Sequence, residues 1–135
     1  MTGFLLDTNT CVEVIRRRSV AVMARFRGFP AGELGLSVIT LCELEFGAAK
    51  SADPLKNKSL LLNFCAPLRI FPFESASAVP YGPLRAHLER AGTSIGPLDM
   101  LIASHALSLN LTLVTANERE FRRVPGLKVE NWTRR

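Results

Sequence analysis

The sequence predicts an α/β protein, a three-layer α/β/α sandwich around a central, mostly parallel sheet of four to five strands. Four short apolar runs lack the strict alternation of a half-exposed strand, which is typical of parallel strands covered on both faces. Longer stretches with helical spacing separate these runs, and this β-α-β-α order favours helices on both sides of one sheet. The predicted strands are Gly3–Leu6, Leu34–Ser37, Leu68–Phe71 and Leu111–Thr115, with 126–132 as a fifth, weaker candidate.

Start signals place the main helices between these strands. Pro97 suits the first position of a helix and Asp99 its first turn, so one helix is expected to begin directly after Gly96. Ser37 and Thr40 are both available as N-caps for the helix after the second strand. The predicted helices are Cys11–Arg17, Val38–Lys50, the basic and amphipathic stretch 83–91, and a helix that runs from Gly96 through Leu109.

Size and composition indicate one globular domain, residues 1–135. The chain has 135 residues, of which 47% are hydrophobic and 21% charged, so the signature of a disordered chain is absent. Seventeen Lys and Arg residues against twelve Asp and Glu residues give a net charge of +5. This excess favours an anionic partner such as nucleic acid.

The three cysteines are widely spaced and form no CxxC pair. We therefore expect neither a disulfide framework nor a structural zinc site, and a reducing cytoplasm fits this usage. The first ten residues contain no basic segment and only a short apolar run, so neither a signal peptide nor a membrane span is expected.

Acidic and amide side chains follow several of the predicted strands. Asp7 ends the first strand, Glu43 lies one turn into the helix after the second, and Asp99 opens a later helix. Asn117 and Glu120 follow the fourth strand. Because parallel strands end at one edge of a sheet, where open α/β folds place their sites, these groups are expected to converge there.

A divalent cation is the physical reason for such a cluster. Crowded carboxylates repel one another, and several would stay protonated without a compensating charge. Oxygen ligands without Cys or His point to Mg²⁺, with Mn²⁺ as an alternative, rather than to zinc. In phosphodiester hydrolysis such an ion activates an attacking water and stabilises the leaving oxygen.

Four segments, in order, resemble a PIN domain, and more narrowly the VapC toxins of bacterial type II toxin–antitoxin systems. Each motif is weak alone, but the four together are specific and cover nearly the whole chain. They are Leu-Leu-Asp7-Thr8-Asn9-Thr10, the stretch from Ser37 through Glu43 to Gly47, Gly96-Pro-Leu-Asp99-Met-Leu-Ile-Ala, and Leu113-Val-Thr115-Ala-Asn117-Glu-Arg-Glu120-Phe121.

The resemblance implies a Mg²⁺-dependent endoribonuclease that a cognate VapB antitoxin inhibits. Members of the family are usually dimeric, in complexes that bind operator DNA through the antitoxin. Similarity to the VapC group that cuts initiator tRNA in its anticodon loop makes that tRNA the leading substrate, with DNA as the less favoured alternative.

The resemblance also implies roles for individual residues. Asp7 and Asp99 would bind the metal directly, and Glu43 would complete the acidic triad, directly or through water. Asn9 and Thr115 would orient the ligands or the attacking water.

One position departs from the family pattern. Many members carry an aspartate two residues after the threonine that matches Thr115, whereas this chain has Asn117. Glu120 lies nearby and would supply the missing charge. Because Asn117 is neutral, both one and two bound metal ions stay open as alternatives.

Basic and apolar segments suggest further contacts. Arginines would hold the RNA phosphate backbone, a contact that positions RNA without reading its sequence. The apolar stretches 12–29 and 55–64 are candidates for an antitoxin helix or a second subunit. The arginines proposed for RNA are Arg16, Arg17, Arg119 and Arg122.

Simpler interpretations compete with these roles. Asp7 could only cap the following helix, and Asp99 could only favour a helix dipole, although an apolar stripe through Leu98 and Leu101 leaves Asp99 on its flank. A PIN-like module that binds RNA or a partner without cutting is one rival function, favoured by Asn117. A phosphatase is a second, because Asp-Thr-Asn-Thr-Cys distantly resembles a haloacid-dehalogenase loop in which Asn9 would replace the acid–base aspartate.

Overall fold

A computed structural model describes residues 3–134 and contains a five-stranded sheet in which every neighbouring pair is parallel. The strand order is β3-β2-β1-β4-β5, so the first strand is central. In the register of the sheet, Phe4 of the first strand lies beside Leu34 on one side and Thr112 on the other. The strands are β1 (Phe4–Leu6), β2 (Leu34–Ser37), β3 (Arg69–Phe71), β4 (Thr112–Val114) and β5 (Val129–Glu130). The predicted α/β/α fold is confirmed.

Helices cover both faces of this sheet. Half of these helices were predicted from the sequence. The start signal at Gly96-Pro97 is confirmed, because the helix there begins at Pro97. Among residues 3–134, no helix is long and apolar enough to cross a membrane. The helices are α1 (Thr8–Arg16), α2 (Val20–Arg27), α3 (Val38–Ala49), α4 (Pro54–Cys65), α5 (Ser75–Ala78), α6 (Tyr81–Ala91), α7 (Pro97–Leu109) and α8 (Glu118–Phe121), with a 3₁₀ turn at Ala31–Glu33.

Two predicted helix starts were wrong by a few residues, and four helices were not predicted. The first helix begins at Thr8 rather than Cys11, because the Asp7 carboxylate caps it and accepts from the Thr10 N–H at 2.8 Å. The start signal for α4 is present in the sequence as Asp53 followed by Pro54 at the first helical position. In contrast, α5 and α8 have four residues each, too few for periodicity to reveal.

Two hydrophobic clusters fill the space between the sheet and its helices. Successive strand residues enter different clusters: Leu5 and Leu113 pack with α6 and α7, whereas Leu6 and Val114 pack with α1, α3 and α4. Both faces of the sheet are therefore apolar, which explains why the strands read as continuous hydrophobic runs.

The contact between β2 and β3 depends on a glycine. A Cβ atom at Gly35 would stand 2.6 Å from the Phe71 ring and 2.8 Å from the Arg69 carbonyl oxygen. Only the absence of a side chain lets the two strands pair in this register.

Candidate active site

Asp7 occupies the carboxyl end of the central strand and is 5% exposed. Its Oδ1 accepts from the Thr10 N–H at 2.8 Å, and the Thr115 hydroxyl is a second hydrogen-bond partner of the carboxylate. Asp7 therefore caps α1, as the simpler interpretation proposed, and also lies at the predicted edge of the sheet. Burial raises the pKa of Asp7, the hydrogen bonds from Thr115 and Thr10 lower it, and the charge of Glu43 adds a further increase.

Glu43 lies on α3 and is half-buried. Its Oε1 accepts from the Thr8 hydroxyl at 2.6 Å, a bond between residues 35 positions apart in the chain. Thr8 was missed by the sequence reasoning, which selected Asn9, although both stand in the same Asp-Thr-Asn motif. Asn9 is exposed on the first turn of α1. We call Asp7 and Glu43 the hydroxyl-held pair, because threonine hydroxyls contact both carboxylates.

Asp99 and Glu120 form a second pair of carboxyl groups, which we call the proton-sharing pair. Asp99 lies in the first turn of α7, and a hydrogen bond joins its side chain to that of Glu120 on α8. Burial first, then the charge and hydrogen bond of Glu120, raise the pKa of Asp99 to about 7. The charges of Glu43 and Asp7 also raise it, so the four acids share one electrostatic environment.

Asn117 links the two pairs. Its backbone N–H donates to the Thr115 hydroxyl oxygen at 2.9 Å, and its side-chain amide donates to Glu120 Oε2. Glu120 Oε1 in turn accepts from the Gly96 N–H at 2.9 Å, directly before the helix that carries Asp99. An uninterrupted set of hydrogen bonds therefore runs from Asp7 through Thr115 and Asn117 to the proton-sharing pair.

The acids approach one another without closing into a single ligand set. Within the described part of the chain, no group of three or more His, Cys, Asp and Glu side chains is arranged so that it could hold a metal ion. The carboxylates instead stand in two pairs, each engaged with its own partners. The chemistry of the donors nevertheless fits a hard divalent cation, because every donor is an oxygen. The neighbouring acids raise the pKa of Asp99 by charge repulsion, and a bound cation would offset that repulsion.

The predicted apolar stripe of α7 was partly wrong. Leu98 is 46% exposed, and the buried residues of the helix include Met100, Ile102 and Ala103. Within the first turn of α7, Leu98 therefore points away from the core, Met100 points into it, and Asp99 is half-buried between them.

The four arginines predicted to bind RNA have different surroundings. Arg16 lines an apolar groove that also contains Thr8 and Glu43, so it lies beside the site. Arg17 lines a different groove, between α1, α2 and α4. Arg122 is bonded to Glu118 at 2.8 Å, and Arg119 is exposed on α8.

Comparison with known proteins identifies this arrangement. A family model described as PIN domain matches residues 4–127. The tRNA(fMet)-specific endonuclease VapC of Salmonella typhimurium is 40% identical over 132 residues, which cover 98% of this chain and 99% of that protein. Ribonuclease VapC2 of Haemophilus influenzae is also 40% identical, with the same coverage.

Solved structures give the same result. The chain superposes on DNA-bound VapBC from Salmonella typhimurium with a TM-score of 0.92 at 40% identity, over 98% of this chain and 99% of that one. VapBC2 from Rickettsia felis, bound to a fragment of its promoter DNA, gives a TM-score of 0.91 at 39% identity with the same coverage. The sheet order and the acids at its carboxyl edge thus define a PIN domain. The chain belongs to the VapC ribonucleases of the PIN-domain family, as the sequence motifs predicted.

Proposed function

We propose that this chain is a metal-dependent endoribonuclease toxin of a VapBC-type pair, acting as one domain over residues 1–135, which hydrolyses RNA and inhibits translation. The observation that carries the proposal is the convergence of four acids, Asp7, Glu43, Asp99 and Glu120, whose charges act on one another at the carboxyl edge of the sheet. The relative from Salmonella typhimurium is named for cleavage of tRNA(fMet), which supports initiator tRNA, cut in the anticodon loop, as the substrate.

Asp7, Asp99 and Glu43 are the proposed metal ligands. Mg²⁺ is the proposed ion, and Mn²⁺ is an alternative because it accepts the same oxygen donors. When bound, such an ion supplies a lower pKa for an attacking water and neutralises charge on the phosphoryl oxygens. In the structure, Thr10 and Thr115 fix the Asp7 carboxylate, and Thr8 fixes Glu43.

Glu120 and Asn117 are proposed to complete the catalytic set. Glu120 supplies a carboxylate in place of the aspartate that many PIN domains carry, and the Asn117 amide and Gly96 N–H fix its orientation. Asn9, exposed at the start of α1, is proposed to orient the metal ligands or the attacking water, and Thr115 to orient Asp7.

The proposed RNA path follows the arginines around this edge. Arg16 is the strongest candidate, because it shares a groove with Glu43. Arg17, Arg119 and Arg122 would add contacts to phosphates further along the RNA. Since an enzyme that cuts tRNA works where tRNA serves in translation, we place the toxin in the bacterial cytoplasm.

The proposed partners follow from the solved relatives, which are complexes of VapC with its antitoxin, two of them on DNA. We propose that this chain pairs with a VapB-type antitoxin, forms a homodimer, and reaches operator DNA through that antitoxin. The apolar surfaces formed by residues 12–29 and 55–64 are the proposed contact regions.

The deciding experiment is incubation of antitoxin-free protein with bulk tRNA in Mg²⁺, in Mn²⁺ and in EDTA. The proposal predicts discrete fragments that require metal and disappear in Asp99→Ala. Asp53→Ala is the control, because it also removes an aspartate at the start of a helix but lies outside the site. Cleavage that persists in EDTA, or in Asp99→Ala, contradicts the proposal.

A binding module without catalysis is the second candidate, because Asn117 stands where an acid is common. It predicts RNA binding with intact tRNA in every metal. The phosphatase alternative is set aside, since the relatives named above are nucleases.

A further inference from the structure

A buried imidazole contacts a buried hydroxyl in the centre of the molecule. His105 and Ser37 are both 0% exposed, and His105 Nδ1 and Ser37 Oγ are hydrogen-bonded at 2.7 Å. The rings of Phe71 and Phe73 pack edge-on against the imidazole, with centroids 6.4 and 5.2 Å away. Burial of polar groups is costly without such a bond, and an apolar side chain would fill the same space without that cost. The pair therefore calls for an explanation beyond packing.

The pair joins two of the helices that carry acids of the site. Ser37 ends β2 and caps α3, where its Oγ also accepts from the Ile39 N–H at 3.0 Å, and Glu43 follows six residues later. His105 lies six residues after Asp99 on α7, about 9 Å along the helix axis. One hydrogen bond thus connects the start of α3, the helix that carries Glu43, with α7, the helix that carries Asp99.

Apolar packing also joins the two helices, since Ile39 of α3 packs against the cluster that contains Ile102 and Ala103 of α7. Such contacts have little directional preference, whereas a hydrogen bond weakens steeply when its angle departs from linear. The His105–Ser37 bond is thus suited to set the register of one helix against the other.

We propose that His105 and Ser37 form a positioning pair that sets the distance between Glu43 and Asp99, and through it the affinity for the divalent ion. Neither residue touches the acids, so the role is positional and not catalytic. The inference rests on the proposed function. It adds two residues that position the acids and take no part in the reaction.

The same helix provides a matched control. Ser104 is also 0% exposed, and its hydroxyl donates to the Ser77 carbonyl oxygen at 2.7 Å. That bond ties α7 to α5, which carries none of the proposed site acids. Loss of the Ser104 bond should lower stability without changing the relation of Glu43 to Asp99.

The test compares four variants by Mn²⁺ titration calorimetry, by tRNA cleavage kinetics and by thermal unfolding. His105→Leu removes the bond, and His105→Asn restores a polar atom at the position of Nδ1. Ser37→Gly removes the hydroxyl but preserves most of the N-cap, since glycine is an adequate cap. Ser104→Ala is the control.

We expect His105→Leu and Ser37→Gly to weaken Mn²⁺ binding at least fivefold and to lower kcat about ten- to a hundredfold, with KM within about threefold of wild type. Displacements of the order of 1 Å in a site have effects of this size. His105→Asn and Ser104→Ala should stay within about threefold of wild type in Mn²⁺ affinity and kcat.

Three results would overturn the proposal: unchanged Mn²⁺ affinity and kcat in folded His105→Leu or Ser37→Gly, equal losses in Ser104→Ala, or no recovery in His105→Asn. If His105→Leu does not fold, Ser37→Gly and His105→Asn decide alone. A wild-type chain that binds Mn²⁺ but cuts no RNA overturns only the proposed function, because the affinity series still tests the pair. A wild-type chain that binds no Mn²⁺ overturns both.

Discussion

The two carboxylate pairs of the site differ in how the repulsion between neighbouring carboxylate charges is reduced. In the hydroxyl-held pair, Thr10 and Thr115 donate to Asp7, and Thr8 donates to Glu43. In the proton-sharing pair, Asp99 and Glu120 are bonded to each other, and the pKa of Asp99 rises to about 7. Donors stabilise the charged form of a carboxylate, whereas a second carboxyl group stabilises the protonated form. Burial raises the pKa of both Asp7 and Asp99, and the comparison teaches that the neighbours oppose this rise at Asp7 through their hydrogen bonds but add to it at Asp99.

The largest expected effect comes from breaking the proton-sharing pair. Asp99→Asn should lower tRNA cleavage by roughly a thousandfold or more, because loss of a metal ligand removes several kcal/mol of transition-state stabilisation at about 1.4 kcal/mol per factor of ten. Thermal unfolding should not shift to lower temperature, since the change removes a repelled carboxylate. A cleavage rate that falls by less than tenfold would show that Asp99 is not a metal ligand.

The hydroxyl-held pair gives a contrasting result, because Asp7 is also a helix cap. Asp7→Ala should lower cleavage by up to about a thousandfold and also cost about 1 kcal/mol of unfolding free energy. Asp53→Ala, which removes a cap elsewhere, should cost a similar amount of stability with the cleavage rate unchanged. Urea unfolding beside initial rates checks both, and an active Asp7→Ala variant would reduce Asp7 to a cap alone.

Removal of a donor tests whether the threonine hydroxyls orient the acids. Thr8→Val keeps the shape of the side chain but removes the hydrogen bond to Glu43, so cleavage should fall about ten- to a hundredfold, the usual cost of a lost supporting bond to a ligand. Ser108→Ala is a control on another helix, because the Ser108 hydroxyl donates to the carbonyl of its own helix. Equal rates for Thr8→Val and wild type would contradict this role.

A smaller effect should appear in the dependence of stability on pH. The pKa of Asp99 lies above its usual value of 3.8, so the folded protein without bound metal holds a proton that the unfolded chain has released. This contribution to stability is complete below about pH 4 and is lost as the pH rises through about 7. Urea unfolding from pH 4 to 8 should show the decline in wild type and less of it in Asp99→Asn. If the unfolding free energy changes with pH equally in wild type and Asp99→Asn, the proton is not held at Asp99.

The smallest effect is expected for the surface arginines. Arg16→Gln should raise KM for tRNA several-fold and reduce the salt dependence of binding by one phosphate contact, a slope change of about 0.7. Arg122→Gln should change KM less, because its guanidinium is bonded to Glu118. Filter binding at several salt concentrations measures both, and the reverse order would move the RNA path towards α8.

Local features of the sequence predicted much of this molecule. The Ser37 cap and the proline at position 97 are signals that act within three residues, and both appear where expected. The apolar runs predicted the sheet because parallel strands are buried on both faces. Leu98 was misplaced, because helical periodicity does not tell how far the first turn of a helix projects beyond its neighbours.

The sequence by itself determined the fold class, the family and the presence of acids after successive strands, since each of these depends on local pattern. Only the tertiary structure decided which groups meet: Thr8 with Glu43 across 35 positions, Gly96 with Glu120 across 24, and Ser37 with His105 across 68. Burial, which raises the pKa of Asp7 and Asp99, was also decided there. Hydrogen bonds and desolvation act over a few ångströms of space, and residues far apart along the chain come that close only when the sheet has assembled.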